Sequence, residues 1–159
     1  MSKTLLVAFA GVVNRPRTGV SKIDAQAAAQ LDSIVQSDKE IQVVLSRDWK
    51  KVSDTVDGVR SACRDFKFAS RISGFAFKKG APAKSNADDW AQWLQEGDRW
   101  QRIASFAVLD ADPAVGLRFP SHGVLMEAGK LLGSKEAAMA LEILKLDDAG
   151  PYWYESSGI

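Results

Sequence analysis

Leu5-Leu6-Val7-Ala8-Phe9-Ala10-Gly11-Val12-Val13-Asn14 decides the fold class of this chain. Residues 4–13 are apolar without in/out alternation, the pattern of a central strand covered on both faces. Lys3, the short apolar stretch and Ala8-Phe9-Ala10 also imitate a secretory leader with an A-x-A cleavage site. Cleavage after Ala10 leaves only Leu5 to Val7 as an apolar core, so a buried strand is the better reading and a cytoplasmic location is expected.

Working outward, strands and helices alternate. Residues 14–19, Asn-Arg-Pro-Arg-Thr-Gly, are loop chemistry. Residues 24–37 read as a helix, with Asp24 as cap and Ala28, Leu31 and Val35 at helical spacing. Residues 41–45 form a second β-branched run, ending at Ser46. Residues 51–63 read as a helix that Gly58 weakens. Residues 66–83 mix four Phe with Lys and Arg and are expected to form a small cap. Residues 86–96 are helical, with Ser85 and Asp88 as a capping pair. Residues 105–109 form a third buried strand, 124–126 a short fourth, and Ser134 opens a last helix. Such βαβ alternation predicts an α/β, Rossmann-like parallel sheet between helices, in one domain over residues 1–149. The aromatic tail, residues 150–159, is either docked or frayed.

Composition agrees with one soluble domain. Of the 159 residues 46% are apolar and 26% charged, which excludes a disordered or fibrous chain. A net charge of +1 names no partner, and the longest apolar run is too short to span a bilayer. A single cysteine, Cys63, forms no internal disulfide, and a single histidine, His122, excludes a His-rich metal site. Neither residue is assigned a catalytic role; Cys63 reads as a small buried hydrophobe.

In parallel sheets the working residues lie at the carboxyl ends of strands. Those ends are residues 8–14, 46–49 and 110–112, which are expected to converge. Asp110 and Asp112 suit a hard cation such as Mg²⁺, or else Asp112 simply caps the next segment. Ser46 either donates to a phosphate oxygen or caps a helix.

Taken in order, these segments resemble the haloacid dehalogenase-like (HAD) superfamily, closest to the HAD domain of Swiss-Army-knife RNA repair proteins. Residues 5–14 resemble its first motif, an apolar strand running into Asp-x-Asp-Gly, and Val43-Val44-Leu45-Ser46-Arg47-Asp48-Trp49-Lys50 resembles its second. Val108-Leu109-Asp110-Ala111-Asp112 resembles the acidic fourth motif. Residues 87–94, ending Trp93-Leu94, look like the helix ahead of it, and Leu132-Gly133-Ser134 like a late helix start. The resemblance covers residues 3–146. It implies Mg²⁺-dependent hydrolysis of a phosphomonoester, on a small molecule or a nucleic-acid end, through an aspartyl-phosphate. It also implies substrate contacts from Gly11, Asn14 and Arg47, and a phosphate-steadying lysine, Lys84 or less favourably Lys79.

The chain departs from that pattern where the chemistry lies. Ala8 stands at the nucleophile position and Ala10 at the acid/base position. A methyl group can neither attack phosphorus nor carry a proton, so the chain as written is expected to be inactive. Mg²⁺ is left with Asp110, Asp112 and the backbone carbonyl of Ala10, and weak binding at best. An engineered inactive form and a natural pseudoenzyme both account for this. Loss to Ala alone, with Gly11, Ser46, Asp110 and Asp112 kept, leans towards the engineered form.

A second reading is a non-catalytic module that binds nucleic acid or protein. Residues 47–84 hold ten basic and four acidic residues, an excess of +6, with four Phe interspersed. That composition suits phosphate contacts with base stacking on RNA or DNA, with Lys78 and Lys79 as contacts. The alternative is that the Phe residues pack and the cations face water.

Overall fold

The computed structural model describes residues 1–16, 22–78, 80–82 and 84–150. Five strands, β1 (Lys3–Val7), β2 (Ile41–Leu45), β3 (Ile72–Phe75), β4 (Ser105–Asp110) and β5 (Gly123–Leu125), form one sheet in the order β3-β2-β1-β4-β5. Every pairing is parallel. The helices are α1 (Ala25–Gln36), α2 (Val56–Ala62), α3 (Asn86–Gln95), α4 (Pro113–Arg118) and α5 (Ser134–Lys145). Helix α1 packs beside α5 and α3 beside α4. All six residues of β4 are buried, so both faces of the sheet are covered and its strands read as apolar runs. This is the expected α/β Rossmann-like arrangement.

Local chemistry fixes the helix starts. The carboxylate of Asp24 accepts from the N–H of Ala27 at 2.9 Å, and Ser85 caps α3 through the N–H of Asp88 at 3.2 Å. Thr55 caps α2 by accepting from the N–H of Gly58 at 3.0 Å, so the helix expected over 51–63 begins at Val56. Residues 47–51 instead form a 3-10 turn.

Two further expectations need correction, and one element was not foreseen. The first strand stops at Val7 rather than at residue 13, because the N–H groups of Val12, Val13 and Asn14 turn back onto the Phe9 carbonyl. Phe9, Val12 and Val13 stay fully buried in that turn, so the apolar run outlasts the strand. Residues 66–83 do not all form a cap: 67–71 are a 3-10 turn and Ile72–Phe75 is the edge strand of the main sheet. The acidic strand end leads into helix α4, which the sequence pattern did not announce. No helix among the described residues is long and apolar enough to cross a membrane.

Candidate functional site

Register alone brings the strand tips together. Val7 lies opposite both Leu45 and Leu109, so Ala8, Ser46 and Asp110 follow side by side at the carboxyl edge. The N–H of Ala8 donates to the Leu109 carbonyl at 2.9 Å, and that of Ser46 to the Val7 carbonyl at 3.2 Å. The chain runs outward from β1 through β2 to β3, then crosses back to place β4 on the other side of β1. That reversal is the switch point where open α/β sheets form a ligand crevice.

The crevice contains a built anion cradle, and the protein fills it itself. Asp48 turns its carboxylate onto the end of β1, where it accepts from the N–H of Ala10 at 2.9 Å and that of Phe9 at 3.3 Å. The hydroxyl of Ser46 donates to the same carboxylate. Two consecutive backbone N–H groups and a hydroxyl converging on one carboxylate form the kind of nest that elsewhere holds phosphate. The Trp49 indole N–H donates to the Val7 carbonyl at 2.9 Å, and its ring meets Phe9 edge-on at 5.0 Å. Trp49 is fully buried and anchors the turn carrying Asp48 under the tip of β1.

Gly11 follows at φ +79°, and a Cβ there would lie 2.6 Å from that of Ala111. The loops after β1 and β4 therefore touch at a point where only glycine fits. Ala8 is fully buried and Ala10 half-buried.

The two acidic residues are committed to structure. One Asp110 oxygen accepts from Asn86 and from the Trp90 indole, both at 3.1 Å. The other accepts from the N–H groups of Ala111 at 2.8 Å and Asp112 at 3.1 Å. Asp110 thus ties α3 to β4 and shapes the turn that follows. Burial raises its pKa above the usual carboxylate range, while these hydrogen bonds oppose the rise. Asp112 caps α4 by accepting from the N–H of Ala114 at 3.0 Å. Both Asp110 oxygens already hold two donors, and Ala8 and Ala10 offer no side-chain oxygen. Among the described residues no group of three or more His, Cys, Asp or Glu is placed to hold a metal. What remains for Mg²⁺ at this edge is Asp110, with both oxygens taken by protein donors, and one oxygen of Asp112, a poorer set than the resemblance implies.

The remaining candidates are also engaged. Asn14 is buried and donates to the Lys22 carbonyl at 2.7 Å. Arg47 pairs with buried Asp89 at 3.3 Å, donates to the carbonyls of Ala81 and Pro82 at 3.2 Å, and lies 4.5 Å over the Phe77 ring. It staples Phe77, Ala81 and Pro82 to α3 through Asp89. Lys84 donates to Gln92 at 3.1 Å, and Lys78 pairs with Glu96 at 3.5 Å, both on exposed surface. Lys79 lies outside the described residues. Sequence reasoning overlooked Asp48, Asn86, Trp90 and Asp89 as members of this constellation. The acidic residue two places after Ser46 was the available signal.

Beside the cradle, a cavity of about 710 Å³ opens over the tips of β1, β4 and β5. Gly11, Ala111, Pro113, Met126 and Leu131 line it, with Arg15 and Lys130 also at its wall. Glu127 lines it too and pairs with Lys130 at 3.1 Å, so a mostly apolar wall with a few charged groups, at this size, is that of a small-molecule site. No family model, curated protein or solved structure matches this chain. Fold and site together define a Rossmann-like α/β domain with a crevice at the switch point.

Proposed function

We propose that this chain is a catalytically silent domain of the HAD phosphohydrolase type, in which the phosphate cradle is held closed by the protein's own carboxylate. The observation that carries this reading is the placement of Asp48 against the N–H groups of Phe9 and Ala10 and the hydroxyl of Ser46. A phosphoryl group entering the cradle must first displace that carboxylate, and Ala8 and Ala10 then offer it neither nucleophile nor proton donor.

An engineered inactive form and a natural pseudoenzyme both fit this geometry. Ala8, Ala10 and Asp48 are mutually compatible as they stand. A phosphomonoester, free or at a nucleic-acid end, is the ligand class of the ancestral site, and the cytoplasm its setting.

The test is phosphomonoester hydrolysis with Mg²⁺ by three proteins: the chain itself, Ala8→Asp/Ala10→Asp, and that double variant with Asp48→Ser added. The expected result is silence in the first and activity in the third, with the second weaker than the third. Turnover by the unaltered chain, or silence in a correctly folded third protein across small and polynucleotide phosphates, overturns the reading.

A further inference from the structure

A second groove, about 520 Å³, lies at the amino end of β3, away from the strand tips. Arg60, Arg64 and Lys67 line it together with Phe66, Ser70 and Asp65. Arg60 is fixed in place: its Nε donates to the Ile72 carbonyl at 3.0 Å, and Asp57 pairs with it at 3.3 Å. Arg64 and Lys67 are exposed, and among the described residues neither has an acidic partner. Phe66 is half-buried and stacks almost parallel on Phe68, with centroids 5.7 Å apart and planes 9° from parallel. Phe68 is fully buried, its N–H bonded to Asp32 at 2.8 Å, and its ring meets Trp49 edge-on at 6.2 Å. The inner side of Phe66 is therefore covered and its orientation set from beneath, while the ring still lines the groove.

We propose that this groove binds single-stranded nucleic acid. A base stacks against Phe66 and the adjoining phosphates rest on Arg64, Lys67 and the fixed Arg60. A cationic track beside a pre-oriented aromatic ring is the combination that recognises a single strand without reading its sequence. Because packing already holds the ring, little ordering entropy is lost on binding. An acidic protein surface would use the same cations but would have no need of the flat ring, and that difference separates the two. None of these residues lies at the strand tips, so this inference stands independently of the silent-phosphatase reading.

The experiment is fluorescence anisotropy of a labelled oligouridine with the full chain over a range of salt. Arg64→Ala/Lys67→Ala replaces only exposed side chains and is expected to weaken binding at least about 10-fold. It also lowers the slope of log affinity against log salt by about 1.4, the loss of two phosphate contacts to a single strand. Phe66→Leu keeps an apolar side chain on Phe68 and is expected to weaken binding about 5- to 150-fold with the salt slope unchanged. Absence of salt-sensitive binding, or affinity indifferent to Arg64 and Lys67, overturns the proposal. So does polyglutamate competing as well as oligouridine while Phe66→Leu has no effect, which assigns the groove to an acidic protein.

Discussion

Replacing Asp48 by Ala empties the cradle at the tip of β1. The Ala10 N–H at 2.9 Å, the Phe9 N–H at 3.3 Å and the Ser46 hydroxyl all lose their acceptor. A hydrogen bond to a charged group is worth about 1.5–3 kcal/mol. The Phe9 bond is long and contributes little, and water reaches the half-buried residue 10 to recover part of the rest. The net loss is therefore about 2–3 kcal/mol, read by urea unfolding as a shift in midpoint at constant slope. The freed donors then face a space shaped for an oxyanion. Inorganic phosphate at about 100 times its dissociation constant is expected to return about 2.7 kcal/mol to the variant. The native chain gains less, because its own carboxylate holds the place. Ionic strength is matched with chloride, and the difference between the two proteins is the measured quantity. Asp48→Asn, which keeps the shape but points an amide at N–H donors, is expected to lose stability too. A loss under about 0.5 kcal/mol in Asp48→Ala, or equal stabilisation of both proteins by phosphate, refutes the reasoning.

Gly11→Ala is expected to cost about 2–5 kcal/mol in chemical unfolding, since left-handed backbone costs a non-glycine residue about 1–2 and overpacking on Ala111 about 1–3. Arg47→Ala leaves Asp89 buried without its partner and frees two carbonyls, for a loss of about 2–4 kcal/mol; Arg47→Lys recovers little, because an ammonium does not bridge all three acceptors. Burial pushes the Cys63 thiol up to about 11, so a thiol reagent at neutral pH is expected to label the chain only after unfolding; fast labelling of the folded protein counts against that packing. His122, stacked 3.9 Å from Phe106 and bonded to its carbonyl at 2.8 Å, has its pKa lowered by burial. The unfolded chain then takes up this proton at higher pH than the folded one, so stability falls as pH drops below about 6.5 towards the folded value. The chain has one histidine, so His122→Phe is expected to remove that slope, and a slope that persists contradicts the assignment.

The central strand was legible because burial on both faces leaves an unbroken apolar run, and helices α1, α3 and α5 because their stripes and caps are local. The end of β1 was not, since Phe9, Val12 and Val13 are as apolar in a buried turn as in a strand. Strand β3 hid because an edge strand of four residues, Ile72-Ser73-Gly74-Phe75, carries no run and includes a glycine. Two of the four Phe read as possible stacking residues proved to be one buried, Phe68, and one stacked upon it, Phe66.

For the site the division is sharper. Sequence alone determined that positions 8 and 10 carry methyl groups and that Ser46 and Asp110 stand at strand ends, because side-chain identity needs no fold. What those groups do was decided in three dimensions. Asp48 reaches the N–H of Ala10 from 38 residues away only because β1 and β2 pair in register. Asp110 carries donors on both oxygens because α3 brings Asn86 and Trp90 onto one of them and the turn after β4 supplies the other pair. Hydrogen bonds between residues distant in the chain depend on register and helix packing, and it is those contacts that turned an acidic strand tip into a structural clamp.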